Sequence, residues 1–322
     1  MDAPAAAAAP DLSVLIVNWN AAAYLPAALD SLFSAGQGLE MEVILVDNAS
    51  QDGSVALMRA RYPQVQVIAN AENRGFAAGN NQGLAVARGR AILLLNPDTE
   101  LPPTALRQLL AYLDAHPQVG VVGPRLEGER GKVQGGAAGY DPSPVVLFNY
   151  ATFLYKLFPG HFRGLWLPQA LYRRGAPIEV DWVSGACLLA RAEAAAAAGP
   201  MSERFFMYSE DVEWCRRVRA AGYRVVCHAG VAITHHIGGS ARQQGPAFHH
   251  HNVDSLDKDL RSRYHPLAVA VMHLFGAFGF LLRYLLYEGL LLRWRLPVFA
   301  ELRDLWAACL KTSLKRIVRP AV

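Results

Sequence analysis

Apolar and polar residues alternate along this chain in blocks rather than one by one. From Leu12 to about Gly123, continuous apolar runs fall at Leu12–Val17, Val43–Val46, Val65–Ile68, Ala91–Leu95 and Val119–Val122. Helix-like stretches lie between them, around Tyr24–Phe33, Ser54–Tyr62, Gly75–Ala87 and Thr104–Ala115. A strand that is apolar on both faces must be covered on both. The pattern therefore predicts an α/β fold with a mostly parallel central sheet and helices on both faces. Such sheets take ligands beyond the carboxyl ends of their strands. The residues that follow each run are the first place to look for chemistry.

Beyond this block, the stretch from Leu126 to about Pro177 is rich in Gly, Pro and aromatics and reads as loop that shapes a substrate site. Order resumes from Val180 to about Ser240, with an apolar run at Ala186–Ala190, an Ala-rich helix, an acidic segment at Ser209–Arg219 and a strand at Tyr223–Cys227. Leu267–Leu282 is almost wholly apolar, yet its roughly sixteen residues fall short of the roughly 20 that span a bilayer. Extending it to Leu292 includes Arg283 and Glu288, and a basic tail follows from Arg293 to Arg319. An apolar helix with a basic flank suits a segment lying in a membrane interface; a helical hairpin packed on the main domain is the alternative. The boundaries drawn from these patterns are a disordered leader at 1–10, an α/β domain at 11–245 and a helical, membrane-associated region at 246–322.

The net charge of +4 on 322 residues argues against a nucleic-acid partner, whose basic face would dominate the total. Cys187, Cys215, Cys227 and Cys309 form no CxxC pair and no zinc spacing, which fits a reducing compartment. The Ala/Pro-rich start lacks the charged and aliphatic regions of a signal peptide, so a cytoplasmic location is expected.

Several strand ends carry polar clusters. Asp47 closes the second run, where it either accepts the N3–H of a pyrimidine base or serves as a turn or cap residue. In NRGFAAGNN, Gly75 and Gly79 permit close backbone approach to a ligand, and the helix start offers N–H groups to an anion. No GxGxxG or Walker A sequence is present, which removes the dinucleotide and P-loop readings. The run AILLLNPDTE delivers Asn96 and Asp98 to the ligand edge; Asp98 suits Mg²⁺ or Mn²⁺ held with phosphate oxygens, or ends the strand in a Pro-Asp turn. Ser209 can cap a helix with Glu210 and Asp211 in its first turn, and Glu213 is expected to pair with Arg216 or Arg217. Gly185 either floors a site or lets two strands approach. Trp19 and Trp182 stack on a ligand or pack in the core, and His249–His251 are expected to face solvent.

In order, the segments VNWN, VDNAS, NRGFAAGNN, LLNPDT, SGACLLAR, FFMYSEDVEWCRR and HHIGGS resemble the family 2 glycosyltransferases of the GT-A fold. The resemblance is closest to the rhamnosyltransferase-like branch that builds bacterial cell-surface polysaccharides, and it runs from about Leu12 to Ser240. It implies a nucleotide-binding half at 11–125 and an acceptor and catalytic half at 126–245. By resemblance, Asp47 contacts the nucleobase, with Asn18 and Asn73 in the same pocket and Arg74, Gly75, Asn96 and Gly185 also binding the nucleotide sugar. Asp98 matches the last acid of a DxD-type metal motif. Asn96 stands where the first acid belongs, so one metal carboxylate is missing. His235 matches a metal-binding histidine. Glu210 and Asp211 match the catalytic acidic pair, with Asp211 as the base.

The implied enzyme is an inverting transferase using Mg²⁺ or Mn²⁺. Its donor is a dTDP- or UDP-sugar, rhamnose favoured, and its acceptor a saccharide or polyprenyl-linked glycolipid at the inner face of the cell membrane. The rival readings are a non-catalytic sugar-nucleotide or glycan-binding module on the same fold, a polyprenyl-phosphate glycosyltransferase and a membrane scaffold.

Overall fold

The computed structural model describes residues 9–128, 131–236 and 247–319, with backbone alone over 247–252. The expectations for most of the leader, for the IGGS end of the last motif and for the His249–His251 side chains lie outside the described residues.

The first half runs β1 (Leu12–Asn18), α1 (Leu25–Ala35), β2 (Met41–Asp47), α2 (Ser54–Arg61), β3 (Gln66–Ala69), α3 (Gly75–Leu84), β4 (Ala91–Leu95), β5 (Thr99–Glu100), α4 (Ala105–Ala115) and β6 (Val119–Glu127). Each apolar run is a strand and each helix-like stretch a helix. The second half continues with β7 (Ala138–Gly139), α5 (Pro144–Ala151), α6 (Leu154–Leu157), α7 (Gln169–Tyr172), β8 (Pro177–Val180) and β9 (Trp182–Val183). It ends with β10 (Cys187–Arg191), α8 (Ala192–Ala198), α9 (Glu210–Ala220) and β11 (Arg224–His235). Three helices follow, α10 (Ala247–Arg261), α11 (Pro266–Trp294) and α12 (Pro297–Val318).

The large sheet has the order β3-β2-β1-β4-β10-β6-β11-β5, with β8 also on β11. Strands β3, β2, β1 and β4 are parallel; β10 enters antiparallel between β4 and β6, and β6 and β11 are again parallel. The fold is thus mixed α/β with a mostly parallel sheet. In register, Asn18 lies opposite Asp47 at the carboxyl ends of β1 and β2.

Two glycines on α3 set how closely the helix approaches β1. A Cβ added at Gly79 would sit 2.8 Å from Val17 Cγ1, and one at Gly83 would sit 3.0 Å from Leu15 Cδ2. Gly79 therefore serves helix–strand packing, which corrects the expectation that it opens the backbone to a ligand.

The 126–177 stretch holds more structure than its composition predicts. Helix α5 begins with Ser143, whose hydroxyl accepts from Val146 N, followed by Pro144 in the first turn. This Ser-Pro start is a recognised helix signal. Its apolar residues run all round and give no amphipathic period; α11 packs on one side, where a Cβ at Gly279 would lie 2.7 Å from Ala151 Cα, while Val145 and Phe148 stay exposed. Strand β11 is also longer than the expected Tyr223–Cys227. A register irregularity between His228 and Ala232 lets it resume pairing with β6 and carry His235 to the sheet edge.

Among the described residues, α11 is long and apolar enough to cross a membrane. One side of it packs on protein. Arg283, 4% exposed, donates to Gly279 O and Tyr150 O and stacks on the Tyr150 and Phe153 rings. His273 lies 2.7 Å from the buried Asp257 on α10. On the other side, Leu267, Val271, Leu274, Phe278, Leu281 and Leu285 form an exposed stripe at helical spacing.

Candidate active site

The carboxyl ends of β1 and β2 carry a buried polar cluster. Asn18 Nδ2 donates to Asp47 Oδ1 at 2.7 Å, and Ser50 N donates to Asp47 Oδ2 at 2.9 Å. Each carboxylate oxygen keeps a further lone pair for a ligand donor. Asp52 does what a turn residue does: it accepts from Ser54 N and Ser54 Oγ ahead of Gly53, which sits at φ +85°. A second cluster was not legible in the sequence. Asn70 Nδ2 donates to Asn48 Oδ1 at 2.9 Å and to Gln82 Oε1 at 2.8 Å, while Asn48 Nδ2 donates to Gly75 O at 3.0 Å. These amides tie the ends of β2 and β3 to the start of α3.

That helix start is less open than expected. Gly75 N donates to Asn73 Oδ1, and Phe76 N donates to Phe206 O at 3.2 Å. Gly75 has φ +83°, and a Cβ there would meet Phe206 O at 2.7 Å. The first N–H groups are therefore occupied by the chain itself, and the glycine admits the 201–209 loop. Arg74 beside it is exposed.

At the end of β4, Asn96, Asp98 and His235 come together. His235 Nε2 lies 3.3 Å from Asn96 Nδ2 and 3.4 Å from Asp98 Oδ1. Asp98 is 8% exposed, and its carbonyl accepts from His236 N, locking the β4–β5 turn to β11. Among the described residues no group of three or more His, Cys, Asp or Glu side chains could hold a metal ion. The donor set is one carboxylate and one imidazole. Their separation is close to the about 3 Å between neighbouring ligands of a small divalent ion. The remaining positions would fall to phosphate oxygens and water, and a mixed oxygen and nitrogen set suits Mn²⁺ better than Mg²⁺.

Helix α9 presents the acidic pair. Tyr208 and Ser209 both have φ +69°, a strained backbone that costs of order 1–3 kcal/mol per residue. The bend that this conformation makes sets the first turn of α9 against the β9–β10 loop. Ser209 stands at the N-cap without a side-chain cap bond, contrary to the expected Ser cap, because its left-handed backbone replaces the extended conformation that capping needs. Asp211 is held at both oxygens: Gly185 N donates to Oδ2 at 3.0 Å and Val212 N to Oδ1 at 2.8 Å. Glu210 is 5% exposed, and its Oε2 has no hydrogen-bond partner among the described residues. Burial raises the pKa of both carboxyls, and the Asp211 charge raises that of Glu210 further. Glu213 pairs with Arg217, not Arg216. Trp182 is core, with Nε1 donating to Tyr140 O.

A chain of contacts joins the two acidic centres. Asp211 accepts from Gly185 N, and the next residue, Ala186, accepts through its carbonyl from Asn96 N at 3.0 Å. Asn96 in turn meets His235, which meets Asp98. Asp47 lies two strands from this chain, a separation of about 10 Å in the sheet. These side chains therefore share one edge of one sheet.

Comparison with known proteins gives this edge its family. Residues 13–177 match the model for glycosyl transferase family 2. The chain belongs to that family. It is a glycosyltransferase, and 30% identical over 251 residues to an N-acetylglucosaminyl-diphospho-decaprenol L-rhamnosyltransferase of Mycobacterium tuberculosis, covering 74% of this chain and 80% of that one. A mannosyltransferase from Pyrobaculum calidifontis, solved with GDP-Man and Mn²⁺, superposes with a TM-score of 0.60 at 18% identity over 97% of this chain and 88% of that one. GalNAc-T7 with UDP, GalNAc and Mn²⁺ gives 0.52 at 15% identity, over 70% and 43%. The fold of this family 2 glycosyltransferase is thus GT-A. Its match ends at Pro177, so the Asp211 and His235 segments lie outside the matched residues.

Proposed function

We propose that this glycosyltransferase inverts the anomeric centre of a dTDP- or UDP-sugar, L-rhamnose favoured, and transfers it to a lipid-linked saccharide during cell-surface polysaccharide synthesis. The observation that carries this reading is the contact chain from Asp211 through Gly185, Ala186, Asn96 and His235 to Asp98. It sets one oriented carboxylate beside one candidate cation site, the requirement for a single displacement. The relative that uses N-acetylglucosaminyl-diphospho-decaprenol supports the sugar and the acceptor class.

In this mechanism Asp47, Asn18 and Asn73 seat the nucleotide, with Arg74 and Gly75 at the entrance to α3. Asp98 and His235 would hold Mn²⁺ or Mg²⁺, which when bound would neutralise charge on the departing diphosphate. Asp211 takes the proton of the acceptor hydroxyl as its oxygen bonds the anomeric carbon and the bond to the diphosphate breaks. Gly185 N keeps Oδ2 of that carboxylate oriented. Burial and the Asp211 charge hold the Glu210 carboxyl above its ordinary range, while two backbone N–H groups donate to Asp211 and favour its ionised form.

A cavity of about 450 Å³, lined by Asp141, Asn149, Phe162, Arg163, Arg263 and Tyr264, supports a saccharide acceptor site. Arg216, about one and a half turns beyond Asp211 on α9, bonds Asp141 in the wall of that cavity. The exposed stripe on α11 and the basic tail would rest on the cytoplasmic face of a membrane, with α11 lying along it because Arg283 and His273 are committed to protein partners. In this reading 11–245 is the catalytic domain and 246–322 its membrane-seating region.

The test is a donor panel with purified protein and Mn²⁺ or Mg²⁺, reading release of UDP or dTDP. One dTDP- or UDP-sugar is consumed, and Asp211→Asn abolishes the release while nucleotide still binds. Nucleotide binding without turnover of any donor would replace this reading with the binding-module one.

A further inference from the structure

His235 is gripped from behind by a side chain that no sequence motif marked. Gln134 lies in the loop before β7, anchored by its own N–H, which donates to Leu126 O at 2.9 Å. Its amide meets His235 twice. Nε2 donates to the His235 carbonyl at 2.5 Å, and Oε1 faces ring Nδ1 at 2.9 Å.

The proton positions follow from the chemistry of these groups. A backbone carbonyl only accepts, so the amide nitrogen of Gln134 must be at that end of its side chain. Oε1 is then at the other end, and the ring nitrogen it meets must donate. In the neutral imidazole this leaves Nε2 with its lone pair exposed. Nε2 receives Asn96 Nδ2 at 3.3 Å and stands 3.4 Å from Asp98 Oδ1. That one lone pair can serve Asn96 or a cation but not both, and a cation between Nε2 and Asp98 Oδ1 would satisfy both ligand atoms at once. His236, the residue just past β11, pairs instead with Glu100 at 2.6 Å.

We propose that Gln134 is a positioning residue that holds His235 as the Nδ1–H tautomer and aims its Nε2 lone pair at a divalent cation shared with Asp98. This rests on the cation site of the proposed function. A ring fixed by an oxygen acceptor at its far nitrogen is a more basic and better oriented ligand. Gln134 brings to the site a neutral amide that adds no charge, so the site's charge remains that of Asp98 alone.

The test reads the tautomer without metal and the metal separately. In metal-free protein with ¹⁵N-labelled histidine, two-bond ¹H–¹⁵N correlation at a pH where the ring is neutral should show His235 protonated at Nδ1, its signals assigned by their loss in His235→Asn. Gln134→Leu should move the ring towards Nε2–H. It should also weaken Mn²⁺ binding about 10–100-fold, read by electron paramagnetic resonance of free Mn²⁺ in the presence of UDP. Wild-type His235 protonated at Nε2 overturns the proposal, as does Gln134→Leu leaving tautomer and Mn²⁺ affinity unchanged. Equal Mn²⁺ binding by wild type and His235→Asn overturns the cation reading and the proposal with it, a signature distinct from a tautomer failure.

Discussion

The two halves of the ligand edge are held by different forces. Around β1, β2 and β3 the polar groups bond mostly to neighbours in the same half, as Asn18 and Ser50 do to Asp47 and Asn70 does to Asn48 and Gln82, while Phe76 and Asn81 of α3 reach across to Phe206 and Met201. Around α9 the bonds are ionic and come from far away. Arg216 bridges Asp141 and Asp259, Arg219 reaches Asp141 and Asp181, and Arg263 adds to Asp141 and Asp259. Asp259 belongs to α10, so the helix that carries Asp211 is tied to the C-terminal region. The first half of the ligand edge is thus built mostly by local packing, while the position of Asp211 depends on α10, which packs beside the α11 helix that bears the exposed apolar stripe.

The largest test of this contrast is chemical. Asp211→Asn should lower kcat by about 10²–10⁴-fold, the range for loss of a general base. Nucleotide affinity, which the proposed function assigns to the other half, should hold within a few-fold by calorimetry. A matching loss of nucleotide binding would show that the halves are not separable. Next in size, Arg216→Ala strips one partner from Asp259, whose side chain is 1% exposed, and from Asp141. Urea denaturation should show a loss of about 2–3 kcal/mol, below the range for a buried charge left unpaired, because Arg263 stays on both aspartates. Activity should fall with it at temperatures where the protein remains folded, because α9 loses its tie to α10.

The same contrast explains what the sequence revealed. Runs such as VILVD and AILLL announce strands because a two-sided core demands continuous apolar residues, so Asp47 and Asp98 could be placed at strand ends. The pairing of Asn18 with Asp47 follows from parallel register alone. His235 needed the family resemblance, since its arrival at Asp98 depends on a strand irregularity between His228 and Ala232. Gln134 sits in a Gly-rich loop with no periodicity to mark it. The ion pairs from Arg216 join residues far apart in sequence, and no local pattern encodes which Asp an Arg will meet. Gly79 shows the opposite error: a glycine next to a ligand-binding segment reads as ligand space when the sheet itself needs the room.

That glycine gives a test confined to the nucleotide half. Gly79→Ala places a Cβ 2.8 Å from Val17 Cγ1, and β-branched Val17 in a strand has little rotamer freedom to yield. The expected loss is about 1–3 kcal/mol of stability, the cost of overpacking, measured by urea denaturation. Nucleotide affinity should weaken as α3 is pushed from β1. The pH dependence of activity, set in the other half, should not change.

The smallest effect separates the halves by sign. In the second half, burial and the neighbouring Asp211 charge raise the Glu210 carboxyl above its ordinary range. Between the unfolded and folded values the native state binds more protons than the unfolded chain, so this contribution to stability is present at acid pH and lost as pH rises. In the first half, burial alone would raise the Asp52 carboxyl, but bonds from Ser54 and Ala22 outweigh it and lower its pKa. Its contribution is present above the ordinary carboxylate range and lost as pH falls through the lowered value. Urea midpoints measured across pH should therefore respond in opposite directions. Glu210→Gln should remove part of the decline above the carboxylate range, and Asp52→Asn part of the decline below it. Identical profiles for the two variants would mean that the charge environments of the two halves do not differ as their hydrogen bonds require.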